Sequence, residues 1–231
     1  NHHFDAVIHL NLIHDPRASS ADHHSFNIKG TMRVMEYCER HGVRKLVLLS
    51  SANVYGPRPD NTQFLTEEAP LMGGDRFSEI RDLVNVDMLG QSFFWKYPSV
   101  ETVILRPVHI VGWVRNAASN YLRLRRPWKL AGFDPMIQVI HENDLTEAIA
   151  AALEPGVQGV FNITGSQPAV LSRLLELAEC EPRSIPHFAA GPALTRLWKL
   201  RLTSFPAPEL DHLRFVCMVD GRRAEDVLGF K

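Results

Sequence analysis

Three uninterrupted apolar runs constrain this chain more than anything else in it: "DAVIHL" from Asp5, "KLVLLSS" from Lys45 and "ETVILRP" from Glu101. Each is strand-length and apolar at successive as well as alternate positions, so both of its faces need cover. Strands covered on both faces belong inside a parallel sheet. Helix-length amphipathic stretches, Ser20 to His41 and Phe77 to Tyr97, separate the runs. That alternation is the rhythm of crossover helices wrapping a parallel sheet. The spacing predicts an α/β fold with a doubly wound parallel sheet. Residues 1–111 are expected to form the C-terminal part of the sheet domain, and residues 112–231 a smaller, substrate-type α/β lobe interleaved with the last sheet strands.

Finer features refine this expectation. In the first helix Phe26, Met32, Met35 and Cys38 keep three-and-four spacing and predict the buried stripe, and Gly42 sits where a left-handed cap would end it. Past Val111, Pro127, Pro135 and Pro155 divide the chain into shorter elements. Among them "MIQVIHENDL" reads as a strand whose turn places Asp144 at a helix N-cap, and "GVFNITG" as another buried strand. "AVIHL" has the pattern of an interior strand, yet nothing before it could pair with one of its sides. The expectation is that two βα units, about 60 residues, precede Asn1 in the complete protein.

Composition narrows the partners. Lysine plus arginine, 25, nearly balance aspartate plus glutamate, 26, so no overall field draws the molecule to nucleic acid or an anionic membrane. No apolar run approaches the roughly 18 residues a membrane span needs, and "NHHFDAVIHL" lacks the regions of a signal peptide. No membrane partner is expected. Cys38, Cys180 and Cys217 are odd in number and widely spaced, which fits reduced thiols and a cytoplasmic setting. The histidines at 2, 3, 9, 14, 23 and 24 have no cysteine or carboxylate spacing that completes a metal site, and none is expected.

The stretch with most chemical content is "VLLSSANVYG", a buried strand that delivers serines to its carboxyl end. With it come "DAVIHL", "NIKGT" (Asn27 to Thr31), "LRPVHIVG", "VIHENDL" and "DGRRAEDVLGF", in that order along the chain around it. Together they resemble the extended short-chain dehydrogenase/reductase family, which includes NAD-dependent sugar-nucleotide epimerases and dehydratases. The resemblance implies a Rossmann-like domain, here without its first strands, that binds NAD or NADP, and a homodimer built on two long helices, for which Phe93, Phe94 and Trp95 are candidates. It places Asn11, Ser50, Arg81 and Pro107 beside the cofactor, and His109, Arg123 and Arg126 beside a small-molecule substrate. The family's glycine-rich pyrophosphate turn would lie upstream of Asn1.

The same resemblance exposes a departure. The family chemistry uses a hydroxyl, matched by Ser51, a tyrosine that passes a proton, and a lysine that lowers the tyrosine's pKa while holding the cofactor ribose. The last two positions are Phe77 and Arg81 here. Phenylalanine has no ionisable hydroxyl, arginine stays protonated, and loss of a positioned acid or base costs about two to four powers of ten in rate. Ile137 also stands where many relatives place an arginine for a diphosphate. The expectation is a protein with a degenerate catalytic motif that keeps a nucleotide or small-ligand pocket in a binding, regulatory or structural role. One alternative is an active NAD(P)-dependent oxidoreductase or epimerase with His109, Tyr55 or Asp75 as substitute acid or base. Another is an RNA-binding or scaffold protein, from "WVRNAASNYLRLRRPWKLAGF" with its Arg125 and Arg126 among aromatics, although solvated arginines on an amphipathic helix explain that stretch as well and nucleic acid is the less favoured partner.

Overall fold

The computed structural model describes residues 4–10, 12, 24–75, 78–114, 116–199 and 207–230. Its strands are β1 (Ala6–His9), β2 (Lys45–Leu49), β3 (Glu101–Pro107), β4 (His109–Val111), β5 (Trp128–Leu130), β6 (Met136–Ile137), β7 (Val139–His141), β8 (Gly159–Ile163), β9 (Ala169–Val170) and β10 (Arg183–Ile185). Its α-helices are α1 (Gly30–Arg40), α2 (Ser78–Lys96), α3 (Ala117–Leu122), α4 (Glu142–Ala152), α5 (Leu171–Leu177), α6 (His187–Lys199) and α7 (Arg222–Leu228). The central sheet has the order β1-β2-β3-β8, and every pair in it is parallel.

Side-chain alternation along these strands builds two cores. On one face Leu46, Leu48 and Ile104 meet Met35 and Cys38 of α1 and Val86 and Phe93 of α2. On the other, Val47, Val103, Leu105 and Phe161 meet Leu145, Ala148 and Ala152 of α4 and Ala224 of α7. Period-two strands clothed by helices on both faces are the doubly wound, Rossmann-like α/β arrangement. A third hydrophobic cluster gathers around Leu130, Leu171, Leu175, Ala190 and Leu213, against which Ile185 of the parallel pair β5 and β10 packs. Helix α2 approaches the sheet closely at Gly90, where a Cβ would stand 2.7 Å from Leu48 Cδ2 and 2.9 Å from Ile104 Cδ1.

Local expectations divide. Gly42 does end α1 in the left-handed region, at φ +63°. The buried stripe of that helix and of the π-helical turn Ser25–Lys29 leading into it, however, is Asn27, Thr31, Met35 and Cys38, while Phe26 and Met32 face outward, 41% and 43% exposed. Two polar residues enter the interior because they are satisfied there: Thr31 Oγ1 lies 2.9 Å from His9 Nε2, and Asn27 is also partnered. Among the described residues β1 pairs with β2 alone, leaving Ile8 41% exposed. The N-cap of α4 is His141, whose Nδ1 accepts the Asn143 N–H at 3.2 Å, and Asp144 stands in the first turn. There its charge still complements the positive end of the helix.

Candidate functional site

In an open parallel sheet the chemistry collects at the carboxyl ends of the strands, and β2 and β3 both end there in residues of interest. The backbone of Ser50 extends the ladder, its N–H donating to the Leu105 carbonyl at 2.7 Å. Its hydroxyl turns inward and donates to Asp87 Oδ2 at 2.6 Å, so the expected cofactor contact is committed to the protein interior. Ser51 is extended, and its Oγ caps the short helical turn Ala52–Val54 by accepting the Asn53 N–H at 3.1 Å. Among the described residues the Ser51 hydroxyl has no acceptor for its hydrogen, which leaves one donor unused on a half-buried side chain.

Beneath these serines lies a buried polar network that the sequence reading missed. Asp87 on α2 accepts from Arg106 of β3 twice, Nε at 2.9 Å and Nη2 at 2.7 Å, and also from Gln91 Nε2 at 2.8 Å. Arg106 Nη1 donates to the Tyr55 hydroxyl at 2.7 Å and to the Glu67 carbonyl at 3.0 Å, and Tyr55 donates to Asn162 Oδ1 at 2.7 Å. Burial is the main cause that pushes the Tyr55 phenol up to about 12, against the opposing pull of Arg106. Its ring is 1% exposed. Tyr55 therefore ties β2, β3 and β8 together and does not reach the cleft. A signal existed in the sequence: an arginine inside "ETVILRP" and an aspartate on the sheet-facing side of α2 each demand a buried partner.

Around this centre the remaining candidates scatter. Glycines let the loop after residue 72 lie against the Ser51 turn. A Cβ at Gly73 would run into the Asn53 carbonyl oxygen and come within 2.9 Å of that of Val54, and Gly56, at φ +78°, faces Gly73. Arg81, on the first turns of α2, is exposed, and its Nε donates to the Gly74 carbonyl at 3.4 Å. Among the described residues its Nη groups have no acceptor. Asn11 and Phe77 lie outside the described residues, as do the Asp75 side chain and His2, His3, His14 and His23. Pro107 closes β3 in a buried position. His109 opens β4, and its ring meets that of His212 edge-on at 5.5 Å. Burial lowers the pKa of both imidazoles, that of His212 to about 3 with a further contribution from His109.

The two arginines expected near a substrate are occupied. Arg123 Nη2 donates to the carbonyls of Gly112 and of Val114, the latter at 3.2 Å. Arg126 Nε bonds Glu181 Oε2 at 3.0 Å, and Arg125 approaches the same carboxylate at 3.8 Å. Among the described residues no three histidine, cysteine or carboxylate side chains gather closely enough to hold a metal ion.

Comparisons with known proteins agree with this geometry. A family model described as the NAD dependent epimerase/dehydratase family matches residues 1–164. An uncharacterised protein of Mycobacterium tuberculosis is 25% identical over 236 residues, covering all of this chain and 62% of its own length. The chain thus spans less than two thirds of that curated relative. The UDP-glucose 4-epimerase of Mus musculus is 34% identical over 110 residues, covering 42% of this chain and 30% of the enzyme. Among solved structures, a UDP-glucose 4-epimerase with UDP-glucose from Thermotoga maritima superposes with a TM-score of 0.75 at 17% identity, over 98% of this chain and 72% of that one. A dTDP-glucose 4,6-dehydratase from Streptomyces venezuelae, with NAD bound, gives 0.73 at 17%, over 98% and 68%.

Proposed function

The chain belongs to the NAD-dependent epimerase/dehydratase family, and from that premise we propose that it keeps the family's cleft as a binding site for a nucleotide-type small ligand while lacking the family's tyrosine-borne proton transfer. The observation that carries this reading is the position of every phenol. The chain has four tyrosines, Tyr37, Tyr55, Tyr97 and Tyr121. Tyr37 stacks on His41 just before β2, and Tyr97 precedes β3, so both lie at the amino-terminal edge of the sheet, away from Ser51. Tyr55 is held by Arg106 and Asn162, and the Tyr121 hydroxyl donates to the Trp128 carbonyl at 2.9 Å.

A dinucleotide fits the residues present on its ribose and phosphate side only. The free Ser51 donor and the exposed Arg81 guanidinium suit hydroxyl or phosphate oxygens, whereas Ser50 is committed to Asp87. When bound, such a cofactor supplies a hydride acceptor. The chain's own part is to orient: Ser51 directs one hydrogen bond, and Arg81 holds an anionic or hydroxylated group. The three unpaired cysteines support a reducing, cytoplasmic setting. A homodimer through α1 and α2 is supported by Trp95, 80% exposed, and Met88, 55% exposed, on α2 and by Met32, 43% exposed, on α1, and sedimentation velocity tests it.

Ligand binding is tested by the melting temperature with NAD, NADP and UDP-glucose, because a ligand far above its dissociation constant stabilises the folded state. A rise with any of them supports the reading, and no shift with all three rejects it. A second reading rests on His109, an imidazole at the start of β4 whose pKa burial lowers, so that it is neutral and able to accept a proton. Under that reading, turnover is present and disappears in both Ser51→Ala and His109→Ala.

A further inference from the structure

One surface of the small lobe is left unexplained by the cleft. Between Gly112 and Phe133 the chain carries Arg115, Arg123, Arg125, Arg126 and Lys129 and no acidic residue at all. The loop from α3 to β5 presents Leu124 and Trp128, each 52% exposed, together with the Arg125 and Arg126 side chains, 80% and 51% exposed. Trp113, 89% exposed, joins this surface because Arg123, at the root of the loop, hydrogen-bonds the carbonyls of Gly112 and Val114 on either side of it. The turn that carries Trp113 is firmly built. Glu142 accepts the N–H groups of Trp113 and Val114 at 3.0 and 2.8 Å, so the indole stands out from a fixed backbone. From the adjacent strand β10, Arg183 places its guanidinium 5.9 Å from the Trp128 ring centre. Two carboxylates lie against this surface among the described residues: Glu142 is spent on the Trp113 turn, and Glu181 is shared between Arg125 and Arg126.

We infer that this surface, Trp113, Leu124, Arg125, Arg126 and Trp128, docks the protein on an anionic lipid bilayer. The arginines supply charge complementary to lipid phosphates, and one shared carboxylate leaves that charge in excess. The indoles are amphipathic rings of the kind that settle at headgroup depth, and Leu124 adds an aliphatic group that gains by leaving water. Leucine decides between partners. It has no π-face to offer a nucleobase, so a single-stranded nucleic acid would leave it unused, whereas an acyl boundary buries it. Among the described residues no helix is long and apolar enough to cross a membrane, and peripheral docking needs none.

Co-sedimentation with vesicles of phosphatidylcholine alone and of phosphatidylcholine with phosphatidylserine tests the assignment. Binding is expected to the mixed vesicles only, weakening as salt screens the surface. Arg125→Ala with Arg126→Ala should weaken it about 25-fold, from about fivefold per cation. Trp113→Ala and Leu124→Ala, at exposed positions, should each weaken it several-fold with the melting temperature unchanged, and Glu181→Gln should tighten it. Equal binding to both vesicle types, or none to either, overturns the inference. So does binding of a mixed-sequence RNA that is tighter than binding to vesicles and indifferent to Leu124→Ala.

Discussion

Asp87→Asn is the substitution that loads the interior of this molecule most heavily. In the native protein the Asp87 carboxylate is wholly buried and accepts four hydrogen bonds, two from Arg106 and one each from Ser50 and Gln91. The amide keeps the shape, removes the charge, and turns an N–H group toward donors. Arg106, 1% exposed, is left as an uncompensated buried cation. Breaking one side of a buried pair costs about 3–5 kcal/mol. At about 2–4 °C per kcal/mol for a chain of this size, the melting temperature should fall by about 6–20 °C. Thermal unfolding followed by far-ultraviolet circular dichroism reads the shift, with the urea midpoint as a second probe. Removing both charges in Asp87→Leu with Arg106→Met should recover part of the loss, since no lone charge remains. A single variant that melts within about 2 °C of the parent, or a double variant less stable than the single, would refute the claim that this pair ties α2 to β3.

Two further outcomes follow from the geometry. The folded state holds the His212 imidazole neutral down to about pH 3, whereas in the unfolded chain it takes up a proton near its ordinary value of about 6.5. The unfolded state therefore binds more protons between those values, and stability should fall as pH drops through that window, by up to about 1.4 kcal/mol per pH unit. Urea unfolding across the range should show this slope, reduced in His212→Phe. Gly73→Ala, whose methyl meets the backbone oxygens of Asn53 and Val54, should cost about 1–3 kcal/mol and weaken ligand binding at the Ser51 turn; calorimetric titration and melting together check it.

The layer order of the fold could be read from three apolar runs and the helices between them because burial on both faces leaves a period that no surface element shares. The inside of α1 could not, since Asn27 and Thr31 enter the core through partners far away in sequence, and hydrophobicity alone gave that stripe to Phe26 and Met32. Ser51 was recognisable as a residue delivered to the carboxyl edge. The opposite fates of Ser50 and Tyr55 were not, because both depend on Asp87, Arg106 and Asn162 converging from three different elements. Arg123 and Arg126 read as ligand contacts by charge alone, and only the fold reveals the carbonyls of Gly112 and Val114 and the carboxylate of Glu181 against them. His212, far from His109 in the chain, carried no signal until the lobe packed.

Conversion of saturating UDP-glucose to its 4-epimer in the presence of NAD, followed by chromatography, tests the central claim most directly. The account predicts bound ligand without conversion, and the appearance of the epimer once Phe77→Tyr and Arg81→Lys are introduced together. Conversion by the unaltered protein, abolished by Ser51→Ala, would contradict it.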